Sequence, residues 1–198
     1  MTQQKEKKVE EIRKEAEQAR ACPVQKALYY MEEFLSGPMC GRCFPCALGA
    51  YEARVRLQRL SRGQGGSEDV AVLGRISQQM LASSMCKKGK DSAAFLAEWL
   101  KTDVFEAHAQ GRCPQRSCPA LVSYRIVPEL CIMCGDCQEV CKFNAILGEK
   151  ALPYRSGYRP FEIRQLRCTS CGECVKVCPT NAIEVLDRAE AEKEKVQT

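Results

Sequence analysis

Eight cysteines toward the carboxyl end of the chain stand in two runs of the same spacing. The pattern CxxCxxCxxxC occurs in "CIMCGDCQEVCKFNAI" and again in "CTSCGECVKVCPTNAI", and in each copy a glycine, Gly135 or Gly172, follows the second cysteine. Thiolates at this spacing ligate iron-sulfur clusters, and in two-cluster sites the fourth cysteine of each run ligates the other cluster. The pattern therefore predicts two [4Fe-4S] clusters, one bound by Cys131, Cys134, Cys137 and Cys178 and the other by Cys168, Cys171, Cys174 and Cys141.

This duplicated segment resembles the bacterial two-cluster ferredoxins. One departure is Lys142, which stands where the ferredoxin pattern has a proline and where the second copy has Pro179. Because the thiol ligand itself is intact, the departure affects only the rigidity of the loop. The alternative is a pair of zinc ribbons, but zinc needs only two CxxC pairs, so the third and fourth cysteines of each run would have no role.

A third run of cysteines lies in "PMCGRCFPCALG" and contains Cys40, Cys43 and Cys46, with no fourth cysteine nearby. The next cysteine is Cys86, in "SSMCKKG". Apolar residues at helical spacing predict two helices between these segments, joined by the turn-rich "SRGQGGSED". Their apolar stripes are Leu48, Tyr51 and Val55 in the first helix and Val70, Leu73, Ile76 and Met80 in the second. Two antiparallel helices would return Cys86 to the starting loop, so we expect a third [4Fe-4S] cluster, bound by four cysteines within a helical bundle.

The motifs around this third site resemble the iron-sulfur end of the NADH-binding flavoprotein subunit of respiratory complex I, and still more its relatives in multimeric NAD-linked hydrogenases and formate dehydrogenases. The resemblance is carried by "CGRCFPCALG", "SSMCKKG" and "AHAQGRCPQRSCPALVSYRI" and covers roughly residues 22–186. It implies a flavin-containing, NAD(P)H-linked partner subunit, with the Cys40 site nearest the flavin. The flavin and NADH-binding region of the family is expected to be absent, since few residues precede Cys40 and "RGQGG" is interpreted as a connection between helices.

Three cysteines and the single histidine remain after these ligands are assigned. They are Cys22, which precedes the predicted helix "VQKALYYMEEFL", and His108, Cys113 and Cys118, which follow "SAAFLAEWLKTDVFEA". A site shared by these residues would join the two ends of the bundle, and a Cys3His set suits a closed tetrahedral zinc site. Zinc is the prediction; a fourth [4Fe-4S] cluster with one histidine ligand, or four unliganded side chains, are the alternatives.

The composition limits where such a protein can work. The 198 residues include 15 cysteines, an odd number, and the amino-terminal "MTQQKEKKVEEIRKEAEQAR" has no apolar stretch. These features argue against a secreted disulfide scaffold, a signal peptide and a membrane span, and they favour a reducing cytoplasm. The formal charge of +5 is largely offset by the anionic clusters, so it does not indicate a nucleic-acid partner.

These motifs predict an α+β fold with four segments along the chain. The segments are a charged helix or arm (1–21), a helical bundle with its [4Fe-4S] and zinc sites (22–120), a two-cluster ferredoxin domain (121–186) and a polar tail (187–198). Phe95, Trp99 and Phe105 have the spacing of a helix core. The connection "LGEKALPYRSGYRPFEIRQLR", which contains Pro153, Gly157 and Pro160, predicts a hairpin and a loop.

The functional prediction is an electron-transfer subunit of a multi-subunit oxidoreductase, not an enzyme on its own. It would relay electrons through three [4Fe-4S] clusters between a flavin-containing partner subunit and another redox subunit or acceptor, an electron-bifurcating complex being one form that the resemblance allows. The chain offers no nucleophile, acid-base pair or nucleotide loop, and each predicted metal site is coordinatively saturated. The alternative is a metal-stabilised scaffold or a redox-sensing iron-sulfur protein.

Overall fold

A computed structural model of the chain describes residues 7–152, 159–188 and 191. The chain divides into two compact units, Met1–Leu121 and Val122–Thr198. The first is built from helices and the second from short helices and two small antiparallel sheets, so the predicted α+β class, a helical bundle followed by a ferredoxin-like domain, is confirmed. Within the described residues, none of the helices combines the length and the apolar character that crossing a membrane requires.

The helices described in the first unit pack around one apolar core. They are α1 (Val9–Ala19), α2 (Pro23–Ser36), α3 (Phe44–Ser61), α4 (Ser67–Ser83), α5 (Lys87–Trp99) and α6 (Val104–Ala109). The ring of Tyr30 in α2 stacks on that of Phe95 in α5, with centroids 4.2 Å apart. Phe95 and Phe105 are fully buried and Trp99 packs against them, so the predicted helix core is confirmed.

The charged amino-terminal segment, expected as an exposed helix or an arm, is a helix of the bundle. Ile12 and Ala16, one turn apart on α1, are fully buried in the core. On the same helix the Arg13 guanidinium lies 5.5 Å from the centre of the Phe95 ring and 2.8 Å from a carboxylate oxygen of Glu98. Buried apolar residues and paired charges therefore hold α1 against both α2 and α5.

The helix predicted from its apolar stripe is present as α3, but the stripe does not face the core. Leu48 and Tyr51 are exposed, and the buried face of α3 is instead formed by small and aliphatic residues, namely Cys46, Ala50, Ala53, Leu57 and Leu60. Close packing against α4 explains the choice of face, because a side chain on Gly49 would begin 2.7 Å from the Met80 sulfur. The stripe predicted for α4 is buried as expected at Leu73, Ile76 and Met80, with Val70 partly buried.

The second unit pairs strands that lie far apart in the chain. β1 (Val122–Ile126) runs antiparallel to β4 (Ile183–Asp187), and β2 (Ile146–Leu147) pairs antiparallel with β3 (Glu162–Ile163), which gives the predicted hairpin. A short 3-10 turn (Pro128–Leu130) precedes the first cysteine run, and each run leads through a short helix, α7 (Asp136–Val140) or α8 (Glu173–Val177). Pro153, Gly157 and most of the predicted tail lie outside the described residues.

Candidate iron-sulfur and zinc sites

The first ferredoxin ligand set is drawn from both cysteine runs. Cys131, Cys134, Cys137 and Cys178 line one cavity. Its other walls are largely apolar, with Ile126, Ile132, Phe161 and Ile183 among them. A wall of this kind limits the access of water to the sulfur atoms, which is one way a protein sets the properties of a metal site.

The second ferredoxin set is arranged in the same way. Cys168, Cys171, Cys174 and Cys141 line a separate cavity, whose walls include Tyr124, Phe143 and Ile146. Each set thus takes three cysteines from one run and the fourth from the other. Burial and the neighbouring cysteines raise the pKa of the Cys137 thiol, and likewise that of the Cys174 thiol, to about 11. At neutral pH these thiols would stay protonated without a metal, and the positive charge of a bound iron core would favour the thiolate form that ligates it.

Both cysteine runs turn around their cavities through left-handed backbone positions. Gly135 (φ 85°) and Gly172 (φ 75°) are the N-cap residues of α7 and α8. Glycine adopts this region without the steric cost of a Cβ atom, so the backbone conformation at these two positions favours glycine. Met133 (φ 53°) and Ser170 (φ 56°), each just before the second cysteine of its run, also have positive φ. The two runs therefore share one backbone conformation.

The fourth cysteine of each run accepts a backbone hydrogen bond. The Ala145 N–H donates to Cys141 Sγ at 3.3 Å, and the Ala182 N–H donates to Cys178 Sγ at 3.2 Å. Donors of this kind stabilise negative charge on sulfur and help to set the reduction potential of an iron-sulfur cluster. The residues present therefore fit a [4Fe-4S] cluster at each ferredoxin site.

The third set is gathered at the amino ends of two helices. Cys43 and Cys86 are the N-cap residues of α3 and α5, and they line a cavity together with Cys40 and Cys46. The partial positive charge at a helix N-terminus stabilises anions, so both helix ends favour a site with four thiolates. Cys43 and Cys46 are buried, whereas Cys40 and Cys86 are exposed, so one edge of this site reaches the surface.

A buried hydroxyl beside the bundle site has no partner among the described residues. Ser84 is only 4% exposed, and its Oγ forms no hydrogen bond there. Ser84 Oγ and Cys46 Sγ lie 2.9 Å and 3.1 Å from the point where a side chain on Gly89 would begin. An unsatisfied buried hydroxyl costs about 1–3 kcal/mol, and the sulfur atoms of a cluster would accept its hydrogen bond. The residues present therefore fit an iron-sulfur cluster here as well.

The remaining ligands meet inside the helical unit. The ligand atoms of Cys22, His108, Cys113 and Cys118 all lie within 4.8 Å of one another, and all four residues are fully buried. Cys22 is the N-cap of α2 and His108 lies in the last turn of α6, so the set joins the start of one helix to the end of another. A zinc-sulfur bond of about 2.3 Å gives a tetrahedron with an edge of about 3.8 Å, so this set has the dimensions of a single-ion site.

A backbone carbonyl orients the imidazole of His108 within this set. The Nδ1–H donates to the Val104 carbonyl oxygen at 2.8 Å, while Nε2 lies 3.4 Å from Cys22 Sγ and 3.2 Å from Cys118 Sγ. Burial lowers the pKa of His108, but interactions with the Cys113 and Cys22 thiols outweigh this and raise the pKa to about 10. Histidines that bind metals usually donate their other ring N–H in this way, so the set fits a zinc ion.

Several residues that support these sites were not singled out from the sequence. Ser84, Gly89 and Val104 are examples, because each acts through a neighbour brought close by folding. Gly89 lies within α5, but the sequence predicts a helix only from Ser92, so its close approach to Cys46 could not be foreseen.

Comparison with known protein families gives two matches along the chain. Residues 25–108 match the family described as the NADH-ubiquinone oxidoreductase-F iron-sulfur binding region. Residues 130–182 match the family described as the 4Fe-4S dicluster domain. The first match includes the bundle ligands, and the second includes both ferredoxin runs.

Curated proteins give similar results. The chain is 30% identical over 136 residues to the NADP-reducing hydrogenase subunit HndC of Solidesulfovibrio fructosivorans, which covers 67% of this chain and 28% of that protein. It is 33% identical over 94 residues to the NADH-quinone oxidoreductase F subunit of Mycobacterium tuberculosis strain H37Rv, covering 46% of this chain and 21% of that protein. It is 30% identical over 74 residues to the NADP(+)-dependent formate dehydrogenase subunit beta of Moorella thermoacetica, covering 37% of this chain and 10% of that protein.

The chain thus spans less than a third of the length of these curated relatives. Both resemblances predicted from the cysteine motifs are confirmed by the family matches. The chain carries, in this order, the iron-sulfur binding region of the NADH-ubiquinone oxidoreductase-F family and a 4Fe-4S dicluster domain.

Proposed function

We propose that this chain is an electron-transfer subunit of a cytoplasmic oxidoreductase complex and relays electrons through three [4Fe-4S] clusters. The observation that carries the proposal is the grouping of twelve cysteines into three separate four-thiol sets, each around its own cavity. When bound, such clusters supply one-electron transfer. The residues of this chain hold the clusters, limit water access and donate hydrogen bonds to sulfur, and they leave no open coordination position for a substrate.

An exposed apolar stripe of α3 lies beside the bundle site. Phe44 is 75% exposed, and Leu48 and Tyr51 are each 52% exposed. These residues share one face of α3, because they are spaced at i, i+4 and i+7. Met85, which is 84% exposed, precedes the ligand Cys86 at the same site. Contiguous exposed apolar surface is typical of a protein interaction site.

The partner that this surface fits is a flavin-containing, NAD(P)H-linked subunit. Docking there would cover the exposed edge of the bundle site and bring a flavin within reach of it. The surface also carries cations, since Arg42 and Lys87 are exposed and the Arg54 guanidinium lies 4.9 Å from the centre of the Tyr51 ring. An apolar centre with a cationic rim suits a partner surface whose own apolar patch is bordered by carboxylates. The ferredoxin pair would pass electrons on to another redox subunit or acceptor.

Zinc in the Cys22 set would have a structural role. Its four ligands saturate a tetrahedral ion, and all are buried, so no position is left for a substrate. The ion would tie the start of α2 to the loop that follows α6.

Metal analysis and reduction kinetics test the proposal. The chain purified without oxygen should contain about twelve iron and twelve acid-labile sulfide atoms, as three cubes require. A value near eight would mean that the bundle site holds no cluster, and a value near zero would overturn the whole assignment.

The second measurement is the bleaching of cluster absorbance by NADH or NADPH. The isolated chain should not bleach, whereas the complex purified with its flavin-containing partner should bleach as fast as it turns over. Bleaching of the isolated, flavin-free chain would contradict its assignment as a subunit. Clusters that stay oxidised in the complex during turnover would favour the scaffold or sensor function.

A further inference from the structure

The duplicated ferredoxin runs allow a comparison of two sites within one protein. The fourth cysteine of each run, Cys141 or Cys178, accepts a backbone N–H bond of nearly the same length, 3.3 Å and 3.2 Å. The asparagine three residues further on, Asn144 or Asn181, is left-handed in both runs, with φ of 49° and 51°. Because the local backbone is the same, a difference between the two cysteine environments must come from side chains.

Such a difference lies two residues after each fourth cysteine. In the second run this residue is Thr180, whose Oγ1 lies 3.8 Å from Cys178 Sγ, within hydrogen-bond range for sulfur. In the first run it is Phe143, which lines the same cavity as Cys141 and has no donor to offer. Cys178 therefore has a backbone and a hydroxyl partner, whereas the equivalent position beside Cys141 presents hydrocarbon.

A hydroxyl beside a cluster ligand changes the energy of reduction. Reduction adds negative charge to the cluster and its thiolates, and a hydrogen-bond donor stabilises the more negative state. Thiolate sulfur is an acceptor, so the Thr180 hydroxyl would donate to Cys178 once a cluster is bound. The Phe143 ring cannot do this and also limits the approach of water to Cys141, which disfavours the added charge.

We propose that Thr180 is a positioning residue that raises the reduction potential of the cluster held by Cys131, Cys134, Cys137 and Cys178. Phe143 leaves Cys141, in the other ferredoxin set, without a hydroxyl at the equivalent position. At this position the two runs therefore differ in a hydrogen-bond donor to the fourth cysteine. This inference rests on the proposed function, because it needs both ferredoxin sites to hold clusters.

Potentiometric titration of the full chain, followed by EPR, tests the inference. Thr180→Val removes the hydroxyl at nearly constant volume and should shift the midpoint of one cluster to a more negative potential, leaving the others unchanged. Thr180→Ser keeps the donor and should retain the wild-type midpoint. Phe143→Thr adds a donor at the equivalent position and should shift the midpoint of a different cluster to a more positive potential.

Iron and sulfide analysis of each variant separates a tuning role from a structural one. The inference is overturned if Thr180→Val keeps the wild-type iron content and all its midpoints, or if Thr180→Ser shifts as far as Thr180→Val. If the Thr180→Val protein does not assemble its clusters, the Phe143→Thr protein serves as the test. Unchanged midpoint potentials in the Phe143→Thr protein then overturn the inference. Shifts of the same cluster by Thr180→Val and Phe143→Thr would instead contradict the assignment of Cys178 and Cys141 to different clusters. A wild-type chain without ferredoxin clusters would overturn the proposed function itself.

Discussion

The Nδ1–H of His108 donates a hydrogen bond to the Val104 carbonyl oxygen, 2.8 Å away in the preceding turn of the same helix. A carbonyl oxygen can only accept, so this bond fixes the proton on Nδ1 and leaves Nε2 as the ligand atom. Nε2 faces Cys22 and Cys118 in a site where every ligand is buried. The geometry is that of a histidine held ready for a metal ion by its own helix.

Loss of one ligand of this set should remove zinc alone. Cys113→Ser should lower the zinc content from about one per chain to near zero and should markedly lower the melting temperature, because metal binding contributes directly to folding. The EPR signals of the ferredoxin pair should persist, since those eight ligands belong to the other compact unit. Loss of about four iron atoms instead would identify a fourth cluster. Unchanged metal content and stability would mean that the set binds no metal.

Cys86→Ser removes one ligand of the bundle site and is the counterpart of Cys113→Ser. Cys86 caps α5 and completes a four-thiol set, so its loss should lower the iron content from about twelve to about eight per chain. Zinc should stay at about one per chain, because the Cys22 set is unchanged. Elemental analysis of the two variants side by side checks both expectations. Loss of zinc in Cys86→Ser would show that the two sites depend on each other.

Gly89→Ala should disrupt the bundle site through crowding. The new methyl group would lie 2.9 Å from Ser84 Oγ and 3.1 Å from Cys46 Sγ, closer than such atoms normally approach, so Cys46 or α5 must shift. We expect partial or complete loss of about four iron atoms. Gly74→Ala is the control, because a side chain there meets no atom within 4 Å and should stabilise α4 by about 0.5–1 kcal/mol. Equal iron content in both variants would contradict the role given to Gly89.

The grouping of the cysteines into sets of four could be predicted from the sequence, because the thiol spacing of a cluster motif depends little on the elements around it. The metals that these sets bind stay a prediction. Cys86 could be connected to Cys40 only through the two helices between them, and those helices are present in the structure. The buried face of α3 could not be predicted. Leu48 and Tyr51 face outward, whereas the core side includes Ala50 and Ala53, which allow closer contact between helices than larger side chains would. Hydrophobic spacing identifies an apolar stripe, but it does not tell whether the stripe meets a core or a partner.

Asp69 should stabilise the start of α4 through charge and hydrogen bonding together. Its nearly buried carboxylate lies 2.7 Å from Arg56 Nη1 and accepts the Gly66 N–H at 3.0 Å. Asp69→Ala should lower the free energy of unfolding by about 3 kcal/mol, and Asp69→Asn by less, because the amide oxygen can still accept the Gly66 bond. Glu52→Gln, at the partly exposed carboxylate that also pairs with Arg56, should cost at most about 1 kcal/mol. Denaturant unfolding measures the free energy of unfolding of all three variants. Equal losses of stability in Asp69→Ala and Glu52→Gln would contradict the role given to Asp69.

Two leucines of α3 should respond differently to the same substitution, because one lies on the exposed stripe and the other lies in the core. Leu48 is half exposed, so Leu48→Ser should change the free energy of unfolding by no more than about 0.5 kcal/mol. Leu57 is fully buried, so Leu57→Ser should cost about 3 kcal/mol or more. If the stripe docks a flavin-containing subunit, Leu48→Ser should still slow the reduction of the clusters by NAD(P)H in the complex. Its iron content should match the wild type, which separates a docking defect from loss of a cluster. Wild-type reduction kinetics in Leu48→Ser would contradict docking at this face.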